Sequence, residues 1–226
     1  MKRLIRPLIR WPFGYLILFT ASCKQEPSYH SFVMTHADSV KQQQLYHRAF
    51  VRIAGVKDSI RNGDLITRKG NDFTSESLST LNRRDHRYSH CGIASIENDT
   101  VFVYHALGGD FNPDQKIRRD PLEVFAEPYT NRGIGIFRFS VADSIKSNFV
   151  KLARSFYDRG IMFDMDFSLK TKDRMYCAEY VYCCFTEASH FKLAFNHSFI
   201  KDFEFIGVDD LFLHPQCRPL SEIVYK

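Results

Sequence analysis

Met175-Tyr176-Cys177-Ala178-Glu179-Tyr180-Val181-Tyr182 runs directly into Cys183, Cys184 and Phe185. Apolar or small residues recur at Cys177, Val181, Cys184, Phe185 and Ala188, the i, i+4, i+7, i+8 rhythm of a helix with one buried stripe. Polar, charged Lys170-Thr171-Lys172-Asp173-Arg174 lies ahead of it, so Cys177 falls in or near the first helical turn. Unpaired backbone N–H groups and the positive end of the helix dipole favour an anion there, and a thiolate is an anion. Taken alone, the helix still favours Cys177 as a small core residue like Cys183 and Cys184, because most buried cysteines are inert.

The segment upstream reverses that reading. Ser89-His90-Cys91-Gly92-Ile93-Ala94-Ser95-Ile96 is strand-like, Glu97-Asn98-Asp99 has turn chemistry, and Thr100 to Ala106 is rich in β-formers; together they predict a hairpin. Counted from Asn98, His90 lies eight residues before and His105 seven after, so antiparallel pairing brings them almost opposite each other at the open end. A thiol, a histidine to take its proton and a polar group on the far ring nitrogen are the parts of a cysteine-protease-type site. Either histidine alone reads as structural. Their register makes Cys177, His90 and His105 the candidate catalytic set.

The 226 residues suit one domain with a short appendage, and 44% hydrophobic with 25% charged residues is ordinary for a chain with a real core. The net charge is +5, but Lys2, Arg3, Arg6 and Arg10 precede any acidic residue. That basic stretch, an apolar run from Trp11 to Phe19 and the small residues Thr20-Ala21-Ser22 before Cys23 predict an export signal over 1–22. Small residues directly before a cysteine resemble the bacterial lipobox, although Thr20 stands where Leu is usual. The expectation is a lipidated Cys23, a tether over 23–36, a folded domain over 37–226, and an exported lipoprotein of a bacterial envelope (periplasm or outer membrane). A plain secretory peptide or an uncleaved anchor is the alternative. Without the leader the chain is near neutral and has no basic run interleaved with aromatics, which argues against nucleic acid as a partner. Removing Cys23 from six cysteines leaves Cys91, Cys177, Cys183, Cys184 and Cys217; an odd number implies at least one free thiol. Their spacing has no zinc pattern, and no cofactor motif is present.

The other expected elements fit around the hairpin. Periodicity predicts a helix over 37–56, and Arg61-Asn62-Gly63-Asp64 a turn into a strand at Leu65-Ile66-Thr67. Residues 71–88 read as a long excursion with at most a helical turn, and Pro121 to Phe125 as a short helix capped by Asp120. Gly133 to Phe139 reads as a strand, 142–157 as an amphipathic helix, and Ile161 to Phe167 as another extended piece. In the tail, Phe203 to Ile206 is a candidate strand and Asp209-Asp210 caps a turn. The class is α+β: a small, mostly antiparallel sheet packed by helices.

Four segments carry a resemblance to the permuted papain-like cysteine amidases, the YiiX/YaeF-like relatives of the NlpC peptidoglycan endopeptidases. Gly63-Asp64-Leu65-Ile66 resembles the strand that opens that domain, and Ser89-His90-Cys91-Gly92-Ile93 the strand with the catalytic histidine. Val103-Tyr104-His105-Ala106 matches the strand with the third polar residue, and Tyr176-Cys177-Ala178-Glu179-Tyr180-Val181 the helix start with the nucleophile. Phe163-Asp164-Met165-Asp166-Phe167 is similar to the aromatic and acidic stretch before that helix. The resemblance spans Gly63 to about Ala188 and implies a circularly permuted, NlpC-type papain-like fold. Two departures stand out: His105 occupies a position that is often Glu, and Cys91 replaces a usually apolar residue.

The resemblance implies Cys177 as nucleophile, His90 as base and then acid, His105 as its orienting partner, and the Cys177 N–H as an oxyanion donor. Cys91 points to the opposite face from His90 and is set outside the catalytic set. Asp64 and Glu179 are supporting residues of structural character, and Tyr176 and Tyr88 are candidates to line a cleft. The expected substrate is a cell-wall or related small peptide. Acyl transfer or hydrolysis on a lipid, and a non-catalytic binding module on the same fold, are the competing readings.

Overall fold

The structure, a computed structural model, describes residues 34–109 and 112–225. The expected leader over 1–22, the lipidation site Cys23 and most of the tether lie outside the described residues.

Alternation along the strands builds three layers. Leu65, Ile93, Tyr104, Phe137 and Phe139 face one side of the sheet, packed with residues of the later helices. Their neighbours Ile66, Ala94, Val103 and Ile136 face the other, with Ala49, Ile53, Leu122 and Phe125. The helix α1 (His36–Val56) therefore buries only a narrow stripe, Ala49 and Ile53. The six-stranded sheet is antiparallel at every pairing, in the order β4-β3-β2-β1-β5-β8. Its strands are β1 (Leu65–Gly70), β2 (His90–Glu97), β3 (Thr100–His105), β4 (Arg118–Pro121), β5 (Asn131–Phe139) and β8 (Cys217–Val224). A separate hairpin pairs β6 (Ser198–Ile200) with β7 (Phe203–Phe205). On the first face lie α4 (Asp143–Asp158), α5 (Cys177–Ala188) and α6 (Val208–Phe212); α2 (Phe73–Leu81) and α3 (Leu122–Phe125) lie in connections between strands.

The β2–β3 turn places Asn98 and Asp99 at φ +46° and +60°, the left-handed pair a tight hairpin requires, with Glu97 opposite Thr100. The amphipathic pattern over 142–157 forms α4, burying Phe149, Ala153 and Phe156. Three expectations need correction, and one strand was not expected. The 71–88 stretch holds a nine-residue helix, because the Asp72 side chain accepts from the Ser75 N–H at 2.9 Å and caps it. Ile161 to Phe167 forms no strand; only Met162 makes isolated bridges, to Lys116 and Arg174. Asp120 caps nothing: Pro121 is the N-cap of α3, and Asp120 belongs to β4. The tail contributes β8, whose pairing with β5 is irregular near Pro219.

Candidate active site

α5 begins at Cys177 because Tyr176 is extended (φ −84°, ψ 171°) and Glu179, three residues on, accepts from the Tyr176 N–H at 3.3 Å. The acidic stretch ahead of it is an organising loop. The Asp164 carboxylate accepts from the Asp166 and Ser168 N–H groups at 2.9 and 3.0 Å and from the Thr171 hydroxyl at 3.0 Å. The Met175 N–H then donates to Met162 at 2.8 Å, aiming the chain into the helix. Cys177 thus sits where the first backbone N–H groups lack helical acceptors.

The histidines are diagonal partners rather than almost opposite ones. Ile93 pairs with Tyr104, and continuing that register puts His105 across from Gly92, two residues along from His90. Gly92 makes the approach possible: a Cβ there would lie 2.9 Å from the His105 Cβ and 2.6 Å from the Tyr104 carbonyl oxygen. Over this gap His90 Nε2 and His105 Nδ1 come within 2.8 Å. His105 Nε2 in turn lies 3.1 Å from Asp120 Oδ2, and Arg118 clamps that carboxylate from Nε at 2.9 Å and Nη2 at 2.8 Å.

Both ends of the row reach solvent. Cys177 and His90 keep 7% and 8% exposure and the Asp120 side chain 13%, whereas Cys91 and His105 have none. Burial lowers His90 to about 4, although the hydrogen-bonded Cys177 pulls upward. Burial likewise brings His105 to about 4 against the pull of Asp120. Burial would raise Asp120, but its bonds from His105 and Arg118 hold it well below the usual carboxylate range. The Cys177 thiol is lowered well below its usual value, first by a hydrogen bond from the Cys91 side chain and then by His90, against burial.

Strand alternation does turn Cys91 away from His90, yet the face it turns to is the one that α5 covers. Cys177, the first residue of that helix, acts electrostatically on both. Arg68 and Asp120 also come to this region from outside the expected set. Arg68 is paired with His90 across β1–β2, and its Nη1 donates to the Phe125 carbonyl at 2.8 Å.

The remaining expected residues lie elsewhere in role. Tyr88, 3% exposed, packs edge-on against Phe137 and Phe212, and Tyr176, 2% exposed, has its hydroxyl accepting from the Ile206 N–H at 2.7 Å. Both are core residues rather than cleft-lining ones. Asp64, at the opposite end of β1 from Arg68, makes a bidentate pair with Arg138 at 2.7 Å per bond. All five described cysteines are free thiols.

The described residues contain no helix long and apolar enough to cross a membrane. The family model described as permuted papain-like amidase enzyme, YaeF/YiiX, C92 family, matches residues 59–202. A crystal structure of the metalloprotein yiiX from Escherichia coli O157:H7 superposes with a TM-score of 0.60 at 17% identity, covering 73% of this chain and 98% of that one. That likeness establishes the papain-like fold. No curated protein matches the chain. The metal named for that structure finds no matching donor set here. No group of three or more His, Cys, Asp or Glu among the described residues is placed to hold an ion. The facing imidazole nitrogens, 2.8 Å apart, are closer together than two ligands each about 2.0 Å from one zinc in tetrahedral array.

Proposed function

The chain belongs to the permuted papain-like amidase family, YaeF/YiiX, and is by that membership a cysteine amidase; from this premise we propose that it hydrolyses an amide bond in a cell-wall peptide or related small peptide, with Cys177 as nucleophile. His90 takes the thiol proton, and the thiolate attacks the carbonyl carbon. The backbone N–H of Cys177 is a donor to the oxyanion at the helix start. His90 then returns its proton to the leaving amine, and water deprotonated by His90 cleaves the thioester. His105 holds the base in place.

The observation that supports this reading most directly is a thiol at a helix start, lowered in part by His90, whose Nε2 lies 2.8 Å from His105 Nδ1. The proposal sets the enzyme in a bacterial envelope, anchored by lipid on Cys23. Its support is the order of basic, apolar and small residues before that cysteine.

The test is to incubate the full chain with stem peptides from peptidoglycan, acidify early and look by mass spectrometry for an acyl group on Cys177. Release of a new amine with a peptidyl adduct on Cys177 is expected. A fatty-acyl adduct formed from phospholipid vesicles, with no reaction on peptides, would replace the peptide reading with the lipid one. No adduct from either would leave a binding module. For the anchor, labelled palmitate incorporated in a bacterial host and lost in Cys23→Ala is expected; unlabelled wild type would remove it.

A further inference from the structure

The row of hydrogen bonds does not end at His105, and its far end determines what its near end can do. Asp120 Oδ2 lies 3.1 Å from His105 Nε2 and 2.9 Å from Arg118 Nε, and Oδ1 lies 2.8 Å from Arg118 Nη2. A carboxylate only accepts, and a guanidinium only donates. We infer that Asp120, clamped by Arg118, is a positioning residue that selects the tautomer of both imidazoles and so assigns the base nitrogen of His90. This rests on the cysteine-hydrolase reading above.

The assignment follows one bond at a time. His105 Nε2 faces a carboxylate oxygen, so it carries the proton and donates. In the neutral ring Nδ1 then keeps its lone pair. His90 Nε2, 2.8 Å from that lone pair, must therefore be the protonated nitrogen of its own ring. Nδ1 of His90 is left as the lone pair, and it is the nitrogen that can face the Cys177 thiol. The proton arriving from the thiol binds at Nδ1; none leaves Nε2. The imidazolium so formed donates to His105, whose opposite edge donates to the Asp120 carboxylate.

A direct carboxylate partner for His90 would do this in one bond. Here a histidine stands between, and a neutral histidine has two tautomers, of which one would turn His90 the wrong way round. With Nδ1–H on His105, His90 Nε2 would have to accept and its Nδ1 would carry a proton toward the sulfur. Asp120 removes that ambiguity. It is reachable from solvent, keeping 13% side-chain exposure, and it lines a surface groove with Lys116, Arg119, Tyr157 and Asp158.

The experiment uses the full chain with 15N-labelled histidine. Long-range 1H–15N spectra at neutral pH, assigned with His90→Gln and His105→Gln, report which nitrogen of each ring is protonated. The expected result is Nε2–H on both. In Asp120→Asn, His105 should show a population of the Nδ1–H form, and Cys177 alkylation at neutral pH should fall by about tenfold or more. In Asp120→Ala, added formate should restore part of the rate, since the groove admits a small carboxylate; an effect on packing alone would not respond. Nδ1–H on His105 in the wild type, or an Asp120→Asn alkylation profile that superimposes on the wild-type one, would overturn the inference and leave Cys177 and His90 as a reactive pair. Slow wild-type alkylation that ignores His90→Ala would instead overturn the hydrolase reading, and with it any role for Asp120 in assigning a base.

Discussion

The Arg68 guanidinium lies 4.7 Å above the Phe125 ring, and the His90 and His105 rings pack on that same ring with centroids 5.7 and 5.0 Å away. One aromatic side chain from α3 thus supports both imidazoles and carries a cation beside them. Burial lowers Arg68 to about 10, with the charges of Asp120 and Cys177 opposing. It remains a cation at neutral pH, and its charge pushes both histidines down. Arg68→Gln should therefore raise the His90 pKa. His90 acts as a base only when neutral, so the acid limb of a pH–rate profile should move to higher pH. Rate profiles of wild type and variant, measured side by side, check this; coincident acid limbs would contradict it.

Cys91, as a hydrogen-bond donor, is the largest influence lowering the Cys177 thiol. Its own thiol is raised, chiefly by burial, which keeps it a donor. Cys91→Ala should shift the alkylation of Cys177 to higher pH while leaving the fold intact, at a cost of about 1 kcal/mol in unfolding free energy. Alkylation at graded pH with peptide mapping of the modified cysteine, together with a urea titration, separates the two effects.

The site also gives stability a pH dependence. His90 and His105 are held at about 4, below the 6.5 of the unfolded chain. The unfolded state binds more protons between those values, so the contribution is complete above pH 6.5 and is lost as pH falls through 4, at most about 3 kcal/mol per ring. Glu179 runs the other way: burial raises it to about 8 from 4.5, against the bond from the Tyr176 N–H. Its contribution is complete below pH 4.5 and lost as pH rises through 8. Two imidazoles outweigh one carboxyl where the windows overlap, so stability should rise with pH between 4.5 and 6.5; above 6.5 the lowered Cys177 thiol opposes the loss from Glu179. Urea midpoints from pH 4 to 8.5 should show it. Glu179→Gln, which can still cap Tyr176, should remove the contribution lost between pH 4.5 and 8 and so steepen the rise below pH 6.5.

Asp64 is fully buried, and it accepts both bonds of the Arg138 fork and the Arg61 N–H at 2.8 Å. Removing it strands a guanidinium that is only 18% exposed. Asp64→Ala should cost about 3 kcal/mol of stability. The Cys177 alkylation rate, measured well below the unfolding temperature, should not change. A specific loss of reactivity in folded protein would instead tie Asp64 to the site.

What the sequence made legible follows where periodicity was strong. The α5 stripe, the β2–β3 hairpin with its Asn98-Asp99 turn, and α4 all have a repeat that only one element satisfies. β4 has none: Arg118-Arg119-Asp120-Pro121 is half-buried and polar, and pairing with β3 is what makes it a strand. Asp120 came with it and was hidden, since a carboxylate before Pro121-Leu122 looks like a helix cap. β8 was obscured by Pro219 and by mostly exposed side chains, as befits an edge strand. α2 did carry a signal, Asp72 three residues before Ser75. For Cys91 the alternation rule held, but it could not say that the helix begun by Cys177 would cover the face to which Cys91 turns. Gly92, between His90 and the far strand, was the readable sign that two side chains meet above it.

The proposed function stands on Cys177 and His90 as a working nucleophile and base. Its most direct test is the rate of alkylation of Cys177 against pH in the wild-type chain and in His90→Ala. Rapid labelling at mildly acidic pH is expected in the wild type and slow labelling there in the variant, whose profile shifts toward that of an ordinary thiol ionising near pH 8.5. Slow labelling with that ordinary profile in both proteins would contradict it.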